Sequence, residues 1–375
     1  IMLREGHLTV QARYVLLHPL SSRPSDDMPG PALNQRSGFQ AGVAATGTSI
    51  QDIVFDHVSV GWAPDQSFLV WSSGDTFVTN LTVSSSLMSE GLLFTAHPDE
   101  GDEHSTGPLF GAGAHNITMY RDISAFNNWR NPLVNTDATR VQIVNNFFYW
   151  PGTERARFNV HTSVADWTQT SSFHGNSYIS HPTQNWAFVA KVGTLSGRTL
   201  ELFHDDNHIY MTNQGISYPT PSQTKWDVVE IPMGTNLVQL QSEPTVFPSL
   251  PVHPALKIEP FLVANAGARS AFRDPIDSRV ISDIETRAAR GYDNGFVSDP
   301  DTQVGGYPTW TVRSKPFQEL ASDAGDLDTD GYTNLEERLH EMAFRLEGDR
   351  RIARFDTFED NEYASNWHIE SAAFA

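Results

Sequence analysis

Val141-Gln142-Ile143-Val144-Asn145-Asn146-Phe147-Phe148-Tyr149 is apolar and β-rich, carries a pair of asparagines, and reads as a strand. Segments of the same kind recur on both sides of it. They are Ile53–Val60, Leu81–Met88, Ile117–Ala125, Ser171–Ile179 and Leu202–Met211. Aligned at one position within each strand, they step through Asp56, Ser84, Tyr120, Val144, His174 and Asp205, at intervals of 28, 36, 24, 30 and 31 residues. Such intervals suit one coil of a solenoid, lengthened where loops are inserted. Asparagines gather near the strand ends, at Asn80, Asn145, Asn146, Asn176 and Asn207. Stacked from coil to coil, their side chains would satisfy the backbone at the corners. The rival is a β-sandwich of irregular hairpins. Few Asn-Gly or Asp-Gly turns link these strands, which weighs against it.

The chain has 375 residues and a formal net charge of −20, and 39% of it is hydrophobic. That is ample for a large core and too much for disorder. The acidic balance excludes nucleic acid as a partner, because phosphates require a basic patch. It also disfavours loose binding to any polyanion, unless a cation or local arginine reverses the sign. No stretch has the roughly 20 consecutive apolar residues of a membrane helix, so no membrane role is expected. Cysteine is absent, which removes disulfides and thiolate metal sites. Lysine occurs only at Lys191, Lys225, Lys257 and Lys315. The chain opens at Ile1, not Met, and shows no signal peptide, so upstream sequence is expected to be missing.

The expected division is a solenoid over 1–270 and a C-terminal extension over 271–375. Pro, Ser and Thr crowd the stretch from Tyr218 to Pro260, which reads as extended segments packed along the solenoid. Asp274-Pro275 then opens a helix over 275–290, with Val280, Ile281, Ile284 and Ala288 on one face. A second helix is predicted from Leu335 to Leu346. Just before it, Asp326, Asp328, Asp330, Gly331, Tyr332 and Glu337 fit the spacing D-x-D-x-D-G-x5-E. The three aspartates would face one centre, Tyr332 would offer its carbonyl, and Glu337 would bind in bidentate fashion. A structural calcium ion is expected there, and a polar helix entry without metal is the alternative.

Three strings carry a family resemblance. The first is Phe55-Asp56-His57-Val58-Ser59-Val60-Gly61-Trp62, followed by Asp65-Gln66. The second is His104-Ser105-Thr106-Gly107-Pro108-Leu109-Phe110-Gly111. The third is Trp129-Arg130-Asn131-Pro132-Leu133-Val134, followed by Val144-Asn145-Asn146-Phe147. In order and separation they resemble the secreted bacterial pectate lyases. Short strings in the C-terminal half, such as Val304-Gly305-Gly306-Tyr307-Pro308, resemble secreted members too. The resemblance implies an all-β, right-handed parallel β-helix, a secreted or periplasmic location, and an expected monomer. It also implies β-elimination on an acidic, uronate-containing polysaccharide, assisted by calcium.

Removing the C5 proton of a uronate requires a cation to neutralise the carboxylate and a positioned base. The resemblance nominates Arg130 as that base. A free arginine is a very poor one, and serves only where its pKa is depressed. Asp65 matches a calcium-binding aspartate, with Gln66 beside it. His104, Thr106, Trp129 and Asn135 are the implied substrate-binding positions. Asp56 and His57 match a signature expected to bond a neighbouring coil. The departures from the family pattern are marked. Gln40-Ala41-Gly42 has no acid where one is often found, Gln66 and Leu69 stand at acid positions, and Thr106 replaces a lysine. Leu133 and Asn135 replace arginines. These losses motivate the second reading, a carbohydrate-binding β-helix without turnover. Paired acids at Asp205-Asp206 suggest a glycoside hydrolase less well than a turn. The acidic run between His97 and His104 reads as a solvated insertion or a metal loop. Trp129, Trp150, Trp167 and Trp186 are candidates for stacking sugars.

Overall fold

The computed structural model describes residues 2–3, 13–17, 20–22, 37–42, 49–72, 76–94, 104–135, 138–159, 168–193, 198–288 and 290–306, with single positions at 325, 327 and 334. Three sheets of nine, seven and eight strands run side by side. Within them each strand pairs in parallel with its counterpart one coil on, except for a final antiparallel pair, His208–Met211 with Ile216–Tyr218. This is a right-handed parallel β-helix. The six aligned positions stand in one row: Asp56 pairs with Ser84, Ser84 with Tyr120, Tyr120 with Val144, Val144 with His174, and His174 with Asp205. Inward-facing rows fill the core, for example Ile53, Leu81, Ile117 and Val141 beside Phe55, Val83, Met119 and Ile143.

Each segment read as one strand is two strands meeting at a corner. Ile50–Asp56 belongs to the eight-stranded sheet and Val58–Gly61 to the nine-stranded one. The corner residue is His57, Ser85, Arg121, Asn145, Gly175 or Asp206, and all six have positive φ, between 44° and 66°. A left-handed residue turns the chain without a loop. The next residue in each coil then forms a ladder. Asn146 and Asn176 each offer a backbone N–H to the side-chain oxygen of the asparagine one coil on, at 2.8 and 3.0 Å. Their amide groups, with that of Asn207, donate to the carbonyls of Met119, Ile143 and Phe173.

Asp122 occupies one rung of this ladder. Its Oδ1 accepts from the Ser86 N–H at 2.7 Å, its own N–H donates to Asn146 Oδ1 at 2.8 Å, and its Oδ2 has no partner. Burial, reinforced by Asp56, pushes its carboxyl well above the usual range. The folded state therefore holds a proton that the unfolded chain releases above about pH 3.9. Asp122 costs nothing below that pH and costs more as pH rises toward its folded pKa. Asp122→Asn is expected to raise stability by about 1–3 kcal/mol at high pH, with the new amide reaching the Val83 carbonyl. Denaturant melts at acid and alkaline pH would show the gain only on the alkaline side.

Two compact units divide the chain, Ile1–Tyr307 and Pro308–Ala375. The helix expected over 275–290 falls in the first of these units. That helix (α2) spans Pro275–Thr286 and ends at Arg287 in the left-handed conformation. Val280, Ile281 and Ile284 pack with Leu87, Ile123 and Phe147 of the nine-stranded sheet. Ahead of it α1, Ala255–Asn265, begins within the stretch read as extended and runs on past its end at Pro260. The helix predicted at Leu335–Leu346 lies outside the described residues.

Candidate active site

Three coils stack at the site: Gln66 bridges Thr106, and Thr106 bridges Trp129, both in parallel. Strands in such a stack lie about 4.8 Å apart. Ser105 and Arg130 both take positive φ, 63° and 61°, which turns the chain toward the seven-stranded sheet. Gly107 is required by this crossing, since a Cβ there would stand 2.3 Å from the Arg130 carbonyl oxygen.

The stack brings Asp65, His104 and Arg130 together. Arg130 Nη1 lies 3.9 Å from Asp65 Oδ1, and His104 Nε2 lies 3.4 Å from the same oxygen. The Asp65 and His104 side chains are about nine-tenths covered, and Arg130 keeps 26% of its side chain exposed. The Thr106 hydroxyl donates to the Asp65 carbonyl at 2.6 Å, so it braces the loop that presents Asp65. Gln66 is buried, and its Oε1 accepts from Ser37 Oγ at 3.1 Å. Trp129 sits in the stack itself. Asn135 lies at the far end of Leu133–Asn135, where its Oδ1 accepts from Asn159 at 3.2 Å. It stands in the sheet, apart from the trio.

Around Asp65 the donor set does not fit calcium. Calcium wants about six to eight oxygens. Here one carboxylate faces a guanidinium and an imidazole, and the neighbouring amide oxygen is engaged by Ser37. Among the described residues no group of three or more His, Asp or Glu is placed to hold a metal ion. Asp326, Asp328, Asp330, Tyr332 and Glu337 lie outside the described residues, as does the acidic run before His104.

The missing cations reappear elsewhere. On the outer row of the seven-stranded sheet, Leu133 pairs with Arg157, Arg157 with Lys191, and Lys191 with Glu230. Arg157 Nη1 donates to Glu154 Oε1 at 2.5 Å. Lys191 Nζ lies 2.8 Å from Glu230 Oε1, and Arg155 holds Glu230 Oε2. Burial pulls the Arg155 guanidinium down, and would raise Glu230, but Lys191 and Arg155 hold that carboxyl below its ordinary value. Sequence separation concealed this row, because only strand register sets Arg157 and Lys191 beside Leu133.

Other candidates are structural. Asp56 bonds His57 and the Ser84 hydroxyl of the next coil, each at 2.7 Å. Asp205 pairs with Lys225, while Asp206 meets His208 and caps α1 through the Ala255 N–H. Trp150 is core, stacked on Tyr149. Trp167 lies outside the described residues.

No family model matches the chain. Curated relatives do. A protein of Aspergillus flavus called probable pectate lyase C is 27% identical over 318 residues, covering 76% of this chain and 64% of that protein. One of Neosartorya fischeri with the same description is 24% identical over 302 residues, covering 78% of this chain and 63% of its own length. The chain is pectate-lyase-like. It spans slightly under two thirds of those relatives, and they are fungal where the sequence strings resemble bacterial members. A variant pectate lyase from Xanthomonas campestris aligns over 72% of this pectate-lyase-like chain, at 11% identity and a TM-score of 0.30. Among the described residues no helix is long and apolar enough to cross a membrane.

Proposed function

We propose that this pectate-lyase-like chain is a secreted polysaccharide lyase that cleaves a uronate-containing polymer by β-elimination. The observation that carries the reading is the convergence of Arg130, Asp65 and His104 at one edge of stacked coils, 3.4–3.9 Å apart. Arg130 has the exposure to meet substrate. Its side chain, in the neutral form, would take the proton of the C5–H bond and, once charged, neutralise the negative charge beside the uronate carboxylate. The electrons of that C–H bond form the C4–C5 double bond, and the glycosidic oxygen leaves from C4. The leaving oxygen takes its proton from water, and Asp65 stabilises the guanidinium that forms on Arg130. Trp129, His104 and Asn135 are proposed to border the bound sugars.

The test is a panel of uronate polymers incubated with the purified protein. A lyase generates the ultraviolet absorbance of the unsaturated uronate, and silence across the panel would end the proposal. The second reading, a binding protein without turnover, is favoured by Thr106, whose hydroxyl serves the loop where a lysine is missing. A binder would retard a polymer in an affinity gel and leave its length unchanged.

We also propose a structural calcium ion at Asp326, Asp328, Asp330, Tyr332 and Glu337, with no part in the reaction. Calcium is then expected to raise the melting temperature of the parent chain and not that of Asp328→Ala. An equal response in both would remove this site.

A further inference from the structure

The outer row of the seven-stranded sheet changes character along the solenoid. After Gln40 it runs through Leu69, Leu109 and Leu133 and continues with Arg157, Lys191 and Glu230. In a chain of net charge −20, Arg157 and Lys191 on this row, with Arg155 beside it, outnumber the two acids they meet, Glu154 and Glu230. Arg155 is held in place before any ligand arrives. Its guanidinium lies 4.5 Å from the Trp186 ring centre and 5.3 Å from that of Phe188, and its side chain is 8% exposed. Arg155 and Lys191 close on one carboxylate, that of Glu230, from two sides. Glu230 and Lys191 stay open to solvent, at 34% and 40% side-chain exposure.

We propose that Arg155 and Lys191 form a second carboxylate-binding subsite for an acidic sugar, and that Glu230 occupies it in the free protein. The inference rests on the polyuronate reading above and names where that polymer extends. Coils repeat at about 4.8 Å, close to the length of one sugar in a 1→4-linked chain. A polymer lying along the solenoid would then place carboxylates of successive sugars against successive coils. Arg130, Arg157 and Lys191 stand on three consecutive coils of this kind. A uronate carboxylate has the shape and charge of the Glu230 side chain and would displace it. Arg157, held by Glu154, lies between the two sites.

Binding of oligogalacturonates to the Arg130→Ala chain by calorimetry separates the possibilities, because no turnover is needed. Lys191→Met is expected to weaken a hexamer about fivefold and leave a dimer unchanged, and Glu230→Gln to tighten the hexamer by a similar factor. The Lys191→Met effect should shrink in high salt. If the hexamer binds and neither variant alters its affinity, the subsite is wrong while the lyase reading stands. If no oligogalacturonate or other uronate oligomer binds to either the Arg130→Ala chain or the parent, the lyase reading itself fails. Lys191 is exposed, so its variant decides the matter even if Glu230→Gln disturbs the fold.

Discussion

Glu90→Ala is expected to destabilise the Ile1–Tyr307 unit by about 3–5 kcal/mol, the cost of removing one member of a buried ionic cluster. Glu90 has no exposed surface, and its carboxylate accepts from Arg279 Nη1 and Nη2 at 2.6 and 2.7 Å. Arg290 Nη1 lies 2.8 Å away, and the Trp62 indole donates at 3.1 Å. Burial alone would raise the Glu90 pKa; Arg290, Arg279 and Trp62 overcome it and lower the value to about 2. Deleting the carboxylate leaves Arg279 and Arg290 to share Asp283 alone among the described carboxylates and releases the joint between Glu90 and α2. The native pKa lies below the unfolded one, near 4.3–4.5. The unfolded chain therefore binds more protons between those values. This part of the stability is complete above about pH 4.5 and disappears as pH falls through the native pKa. Equilibrium denaturation of Glu90→Ala at neutral pH measures the loss. A change under 1 kcal/mol would show that the cluster contributes little.

Arg130→Ala is expected to lower kcat/KM on the best uronate polymer by about 10²–10³-fold, the range seen when one donor to developing charge is removed. The melting temperature should stay near that of the parent, since Arg130 stands partly exposed and its partner Asp65 keeps His104. Arg130→Lys should recover little, because a point charge does not reproduce the planar fork. Activity within threefold of the parent in Arg130→Ala would move the chemistry elsewhere in the groove.

The repeat was legible because corner chemistry recurs at a fixed place in each coil. Asp56, Ser84, Tyr120, Val144, His174 and Asp205 precede the turning residue, and they align in the sheet as they align in sequence. The corners themselves were not legible. Ser85, Arg121 and Asn145 adopt the left-handed conformation without a Gly or Pro to announce it, so two strands read as one. Strands of the seven-stranded sheet such as Phe39–Ala41 and Phe68–Val70 have three residues, too few to show a period. Helix α1 was hidden by Pro254 and Pro260. At the site, Arg130 and Asp65 stood out through the strings that carry them, and the structure brings them within 3.9 Å. Arg157 and Lys191 could not be nominated, since nothing near them in sequence points to Leu133.

The proposal turns on elimination at Arg130, with Asp65 and His104 beside it, and not on hydrolysis or binding alone. The most direct measurement is the structure of the new chain end, read by proton NMR on the products of a uronate polymer. The account predicts a vinyl proton at C4 of the non-reducing sugar, formed by the parent and absent with Arg130→Ala. A saturated, hydroxylated end, or the same vinyl signal from the variant at the parent's rate, would contradict it.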